Sequence, residues 1–138
     1  MKNAIKIFSF SFILFIMVSC GKTPYEILKK DHSVWTATVV TTITGFDPNT
    51  NVYSYTFYEG SATSVDTGGH QSGFNWAYDK KSTKITLTSI AGNDVYNLVY
   101  NVSDINKDSE KWTFSSQDLN GLVIPTPNYS QVITLKKN

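Results

Sequence analysis

The stretch FNWAYDKKSTKITL, residues 74–87, decides how this chain is read. Phe74, Trp76 and Tyr78 alternate with Asn75, Ala77 and Asp79, so on an extended strand the three rings share one face. The polar run Asp79 to Thr83 is a turn, and Ile85 and Leu87 resume the alternation behind it. A helix would spread these five apolar side chains around its circumference, whereas two antiparallel strands put them all on one side.

Outward from this hairpin the same period recurs. On one side, Ala62 to Val65 reads as a short strand. Before it, Tyr53, Tyr55 and Phe57 point inward, and so do Trp35, Ala37, Val39 and Ile43 beyond the turn Asp47 to Asn51. On the other side, Ala91-Gly92-Asn93-Asp94 is a hairpin signal. Tyr96, Leu98 and Tyr100 follow it, then a loop at Asn106 to Glu110, then Trp112 and Phe114. A looser segment through Asp118, Asn120, Gly121, Pro125 and Pro127 leads to a last strand on which Gln131, Ile133 and Leu135 share a face. Pro24 to Lys30 supports a short helix, with proline at its start, an acid early and lysines late. The expected fold is all-β: a small antiparallel up-and-down barrel of about eight strands with a short N-terminal helix. A two-sheet β-sandwich satisfies the same pattern.

The first residues have a different texture. Met1, Lys2 and Lys6 form a basic start, and Ile7 to Val18 is an apolar run broken only by Ser9 and Ser11. A membrane span needs roughly 20 apolar residues, and this run ends sooner, as a signal peptide does. The junction Met17-Val18-Ser19-Cys20-Gly21 resembles the lipobox of bacterial lipoproteins. That resemblance implies a signal peptide at 1–19, removed when Cys20 receives a diacylglycerol and the new amino terminus is acylated with palmitate-type chains. Several chains together make such an anchor effectively permanent. Residues 20–33 are then the lipidated cysteine, tether and short helix, and 34–138 the β domain. Cys20 is the only cysteine, so no disulfide within the chain supports the domain.

Composition excludes several functions. The formal net charge is +1, all basic residues are lysines, and the pairs Lys29-Lys30, Lys80-Lys81 and Lys136-Lys137 are scattered along the chain, so a nucleic-acid partner is not expected. His32 and His70 are the only histidines, and Asp66 four residues before His70 is no metal-ligand set, so no metal site is expected. The acid pairs Asp104/Asp108 and Asp108/Glu110 read as a solvated loop rather than a glycosidase couple. No Gly-x-Ser-x-Gly elbow or phosphate loop occurs, so neither a catalytic residue, nor an enzyme activity, nor a cofactor is expected.

The order of features resembles the lipocalin-like domains of small lipoproteins in Bacteroidota-type bacteria. A short helix precedes a tryptophan at the first strand (Trp35), and a Tyr/Phe-rich strand ends at Glu59-Gly60. An aromatic-Trp-x-Tyr run then leads through a turn to Ile-Thr-Leu (Phe74 to Leu87). The similarity covers most of residues 25 to 137. Where that family carries glycine two places before the tryptophan, this chain has Ser33. The resemblance implies a barrel closed at one end by the tryptophan and the helix. It also implies an outer-membrane location facing the periplasm, since Gly21-Lys22-Thr23-Pro24 lacks an acidic export tract.

The inward aromatics are the one unusual feature, and Trp35, Tyr53, Tyr55, Phe57, Trp76, Tyr78, Tyr96, Tyr100 and Trp112 are the candidate pocket residues. The expected function is a lipid-anchored, non-enzymatic envelope lipoprotein binding a small hydrophobic ligand. One alternative is a protein-interaction module of an envelope complex, for which Val95 and Val99, opposite Tyr96, Leu98 and Tyr100, would supply a covered outer surface. Another is glycan binding through exposed Trp76 or Trp112. Replacing Cys20 with Ala is expected to move the protein from the membrane fraction to the soluble one on cell fractionation.

Overall fold

The computed structural model describes residues 24–138, so the expected signal peptide and Cys20 lie outside the described residues. Helix α1 (Pro24–Lys29) runs into a single 3-10 turn at Lys30–His32, and nine strands follow. They are β1 (Val34–Ile43), β2 (Asn49–Phe57), β3 (Ser61–Asp66), β4 (Gln71–Asp79), β5 (Lys84–Ala91), β6 (Asp94–Ser103), β7 (Ser109–Leu119), β8 (Leu122–Ile124) and β9 (Tyr129–Lys137). Each pairs antiparallel with its neighbour, and β9 joins both β7 and β1, so eight strands close into a ring. The ninth, β8, is a short hairpin on the far end of β7. The chain is therefore a barrel of lipocalin-like form and not a sandwich, and closing the ring leaves few open edges.

The turns carry the residues their geometry needs. A positive φ of 64° at Gly92 suits the two-residue link between β5 and β6. In the β3–β4 turn the Asp66 carboxylate accepts the backbone N–H groups of Gly68 and His70, at 2.8 and 2.9 Å.

The two ends of the barrel differ. At the end where β1 begins, Trp35, Phe57, Trp76 and Trp112 are buried together, with Phe57 edge-on to Trp76 and Trp112 at 5.3 and 6.0 Å between ring centres. Helix α1 lies over this floor with Leu28 fully buried, and the Trp35 indole Nε1 donates to the Leu28 carbonyl at 3.3 Å. Ser33 sits at φ −60°, which needs no glycine, and its hydroxyl donates to the Lys30 carbonyl at 2.7 Å. The departure from glycine thus leaves the helical lid intact.

At the other end the ladders stop short. Strand β4 pairs with β5 only from Asn75 to Asp79, although β4 reaches back to Gln71 and β5 on to Ala91. Strand β7 pairs with β9 only from Ser109 to Thr113; next comes a bulge at Ser115, because Tyr100 faces Phe114 while Val99 faces Ser116. Above these points the ring becomes two leaves, β9-β1-β2-β3-β4 and β5-β6-β7-β8, with a seam on each side. The edge-to-face contact of Phe114 with Tyr129, at 4.9 Å, fills the β7–β9 seam.

This packing sets a stability contrast. Trp35→Ala removes a fully buried indole and its hydrogen bond, with an expected loss of about 3–5 kcal/mol. Ile43→Ala, at a 45% exposed position by the split end, is expected to cost less than about 1 kcal/mol. Chemical denaturation of the two variants checks the contrast.

Candidate functional site

Between the aromatic floor and the split end lies a cavity of about 300 Å³. This volume is at the lower end of ligand pockets. Val39, Leu87, Leu98 and Ile133 supply its aliphatic wall, Tyr53, Tyr55, Phe74 and Tyr100 its rings, and Ser64, Thr88, Ser89 and Gln131 its polar atoms. Strand alternation brings most of these side chains inward from the two leaves.

Three of the polar groups have side-chain partners, and the Thr88 hydroxyl donates to Asn97 Oδ1 at 2.6 Å. The Tyr100 hydroxyl donates to Gln131 Oε1 at 2.5 Å, and Gln131 Nε2 donates to Thr41 Oγ1 at 3.0 Å, linking one leaf to the other. Burial pushes the Tyr55 phenol up to about 12, with Tyr53 adding to it. Burial also raises Tyr100, further helped by Tyr129 and Tyr55. Both stay neutral donors at any ordinary pH, and no charged side chain lines the cavity.

The structure divides the candidate pocket residues. It brings Tyr53, Tyr55 and Tyr100 to the cavity. Trp35, Phe57, Trp76 and Trp112 lie below it as packed floor, Tyr78 is half-buried, and Tyr96 is partly exposed. Trp76 and Trp112 are buried, which removes the exposed tryptophans that the glycan reading required. Their indoles are already engaged: Trp76 donates to the Tyr58 and Ser61 carbonyls, and Trp112 to Glu110. Sequence reasoning missed Ser64, Thr88 and Ser89, whose small polar side chains carry no signal. Gln131 was legible only as a residue on the inner face.

Glu110 corrects the sequence reading most directly. It was placed in a solvated loop, but β7 begins at Ser109, so Glu110 faces inward and is 1% exposed. The period Glu110, Trp112, Phe114 was the available signal. Its Oε2 accepts from the Trp112 indole at 2.9 Å, and its Oε1 has no partner. Burial pushes its carboxyl up to about 7, against the smaller opposing effect of the Trp112 hydrogen bond. Glu110 belongs to the closed end rather than to the cavity wall. Asp104 and Asp108 are exposed, so these acids do not share a cleft.

Each histidine has a local partner. His32 packs on Tyr58 with ring centres 5.2 Å apart, and His70 Nδ1 lies 3.1 Å from the Asp66 carboxylate inside its turn. Among the described residues no group of three His, Cys, Asp or Glu gathers as a metal site needs, and no helix is long and apolar enough to cross a membrane.

Charge is sorted along the barrel. Lys29, Lys30, Lys80, Lys81, Lys84, Lys107, Lys111, Lys136 and Lys137, all the lysines of the described chain, lie on α1 or in the closed-end half. The split-end turns carry Asp47, Asp66, Asp94 and Asp118 and no lysine. Pairs scattered in sequence are thus gathered at one end by the antiparallel topology. Comparison with protein-family models gives no match, and comparison with curated proteins gives none either.

Glu110 makes stability fall as pH rises. The unfolded carboxyl ionises near 4.5 and the folded one near 7, so between these values the folded state holds more protons and is progressively disfavoured. The loss is fully developed above pH 7 and amounts to roughly 3 kcal/mol. Glu110→Gln is expected to abolish this slope, as read from denaturation midpoints at pH 5 and pH 8.

Proposed function

We propose that this protein is a lipid-anchored bacterial envelope lipoprotein that holds a small, uncharged, largely apolar molecule without transforming it. The cavity carries the reading. It is a partly open space of about 300 Å³ with an aliphatic and aromatic wall and neutral hydrogen-bonding groups. An unpaired ion would lose its hydration there without compensation, whereas an apolar body with one or two hydroxyl or carbonyl groups would not.

The resemblance to lipocalin-like lipoproteins supports the same assignment, as does the lipobox-like junction at Cys20. Three residues separate Cys20 from Pro24, and the four chain steps between them reach at most about 14 Å. The anchored end of the barrel is then its closed, lysine-bearing end, which suits an anionic membrane surface. The mouth faces away from the membrane, on the periplasmic side of the outer membrane.

A second reading, docking to an envelope protein, is favoured by Leu122 and Val123. These β8 residues are 76% and 73% exposed at the split end, an apolar pair that a partner would cover.

Native mass spectrometry with lipid extraction, on full-length protein from its own cell envelope, separates the two. A specific co-purifying small molecule, lost in a Leu98→Trp variant that fills the cavity, is the expected result. An empty cavity with a stoichiometric protein partner, released by Leu122→Asp with Val123→Asp, would favour docking instead.

A further inference from the structure

We infer that the β4–β5 seam is a side entrance to the cavity, and that the joined site takes an uncharged amphiphile with its apolar tail inside and a compact, sugar-like polyhydroxyl head in a groove outside. This rests on the ligand-binding reading of the cavity and names the ligand class.

The groove holds about 450 Å³ on the outer wall across β3, β4 and β5. It shares Phe74, Thr88 and Ser89 with the cavity, so the two spaces adjoin where the ladder ends. Phe74 does not bridge the gap. Its ring stacks back on Tyr55 and Phe57 of its own leaf, at 5.5 and 6.5 Å. The β7–β9 seam, by contrast, is filled by Phe114 and Tyr129.

Backbone groups are left over in this groove. In an antiparallel ladder a residue turns its N–H and C=O to the same side, and the side alternates along the strand. The Trp76 N–H goes to the Gly60 carbonyl, next to β3, at 3.0 Å, so the groups of Gly73 face β5. On β5, Ala91 faces Asp94 across the two-residue turn, so the groups of Ile90 face β4. The next rung would join Gly73 to Ile90, yet pairing stops at Asn75 and Thr88. Both residues line the groove, beside the Thr63 and Asn75 side chains and the partly exposed Tyr58 ring.

Paired donors and acceptors in one groove with an aromatic ring suit a sugar-like ring bearing several hydroxyls, and one open rung is too short to template a partner strand. No charged side chain lines either space, and the nearby turns are acidic, so a carboxylate or phosphate head finds no counter-ion. The cavity has room for roughly ten water-sized groups, enough for a short alkyl chain or one apolar ring.

The test uses the full chain in lipid nanodiscs, titrated calorimetrically with hexyl β-glucoside, hexanol and hexanoate, with empty nanodiscs as the partitioning control. Hexyl glucoside is expected to bind at least tenfold more tightly than hexanol or hexanoate. Asn75→Ala with Thr63→Ala should bring the glucoside down to the level of hexanol and leave hexanol unchanged. Ser89→Trp, which plugs the seam, should abolish both. Glucoside and hexanol binding equally, or hexanoate binding most tightly, would overturn the inference while leaving the cavity a ligand site. Binding by none of the three would overturn the cavity reading as well.

Discussion

Eight strands make a closed ring only while each neighbouring pair keeps its hydrogen-bond ladder, and here two of the eight ladders end part-way along. The β4–β5 ladder ends at Asn75 and Thr88, and the β7–β9 ladder at Thr113 and Val132. Below these points the ladders continue around the wall, and the interior is packed with rings to the lid. Above them the leaves part, the wall no longer encloses its side chains as tightly, and a cavity remains. One constraint on pairing thus yields both the solid half and the hollow half of the barrel.

The solid half bears the cost of the hollow one. Three tryptophans and Phe57 fill the lower barrel, and each indole N–H reaches an acceptor, so no donor is stranded in the core. Glu110 is the exception to good packing. Its carboxylate satisfies the Trp112 indole but leaves one oxygen bare, which is why burial favours its neutral form. Trp112 would otherwise leave a donor unpaired beneath the lid, so the residue that weakens the core also completes it.

Most of the architecture was legible because period-two alternation reports directly on faces. Trp35, Ala37 and Val39, or Ile85 and Leu87, are buried where their parity places them. Alternation says nothing about height along the strand. Trp35 and Tyr53 have the same inward parity, yet one lies in the floor and the other in the cavity wall. That difference depends on pairing register, a long-range property set by turn lengths and the Ser115 bulge. The same limit explains the lysines, which are dispersed in sequence and gathered by topology. Glu110 was misplaced because Asn106 to Asp108 reads as a loop and an acid seemed to prolong it. The strand-like spacing to Trp112 was the better guide.

Amide hydrogen exchange on the full chain, resolved residue by residue, tests the split most directly. The account predicts strong protection at Asn75 and Ala77, whose N–H groups face β5 within the ladder, and rapid exchange at Gly73 and Ile90 just beyond it. Protection at Gly73 and Ile90 equal to that at Asn75 and Ala77 would show that the ladder runs on. The barrel would then be closed on that side, and the proposed side entrance would not exist.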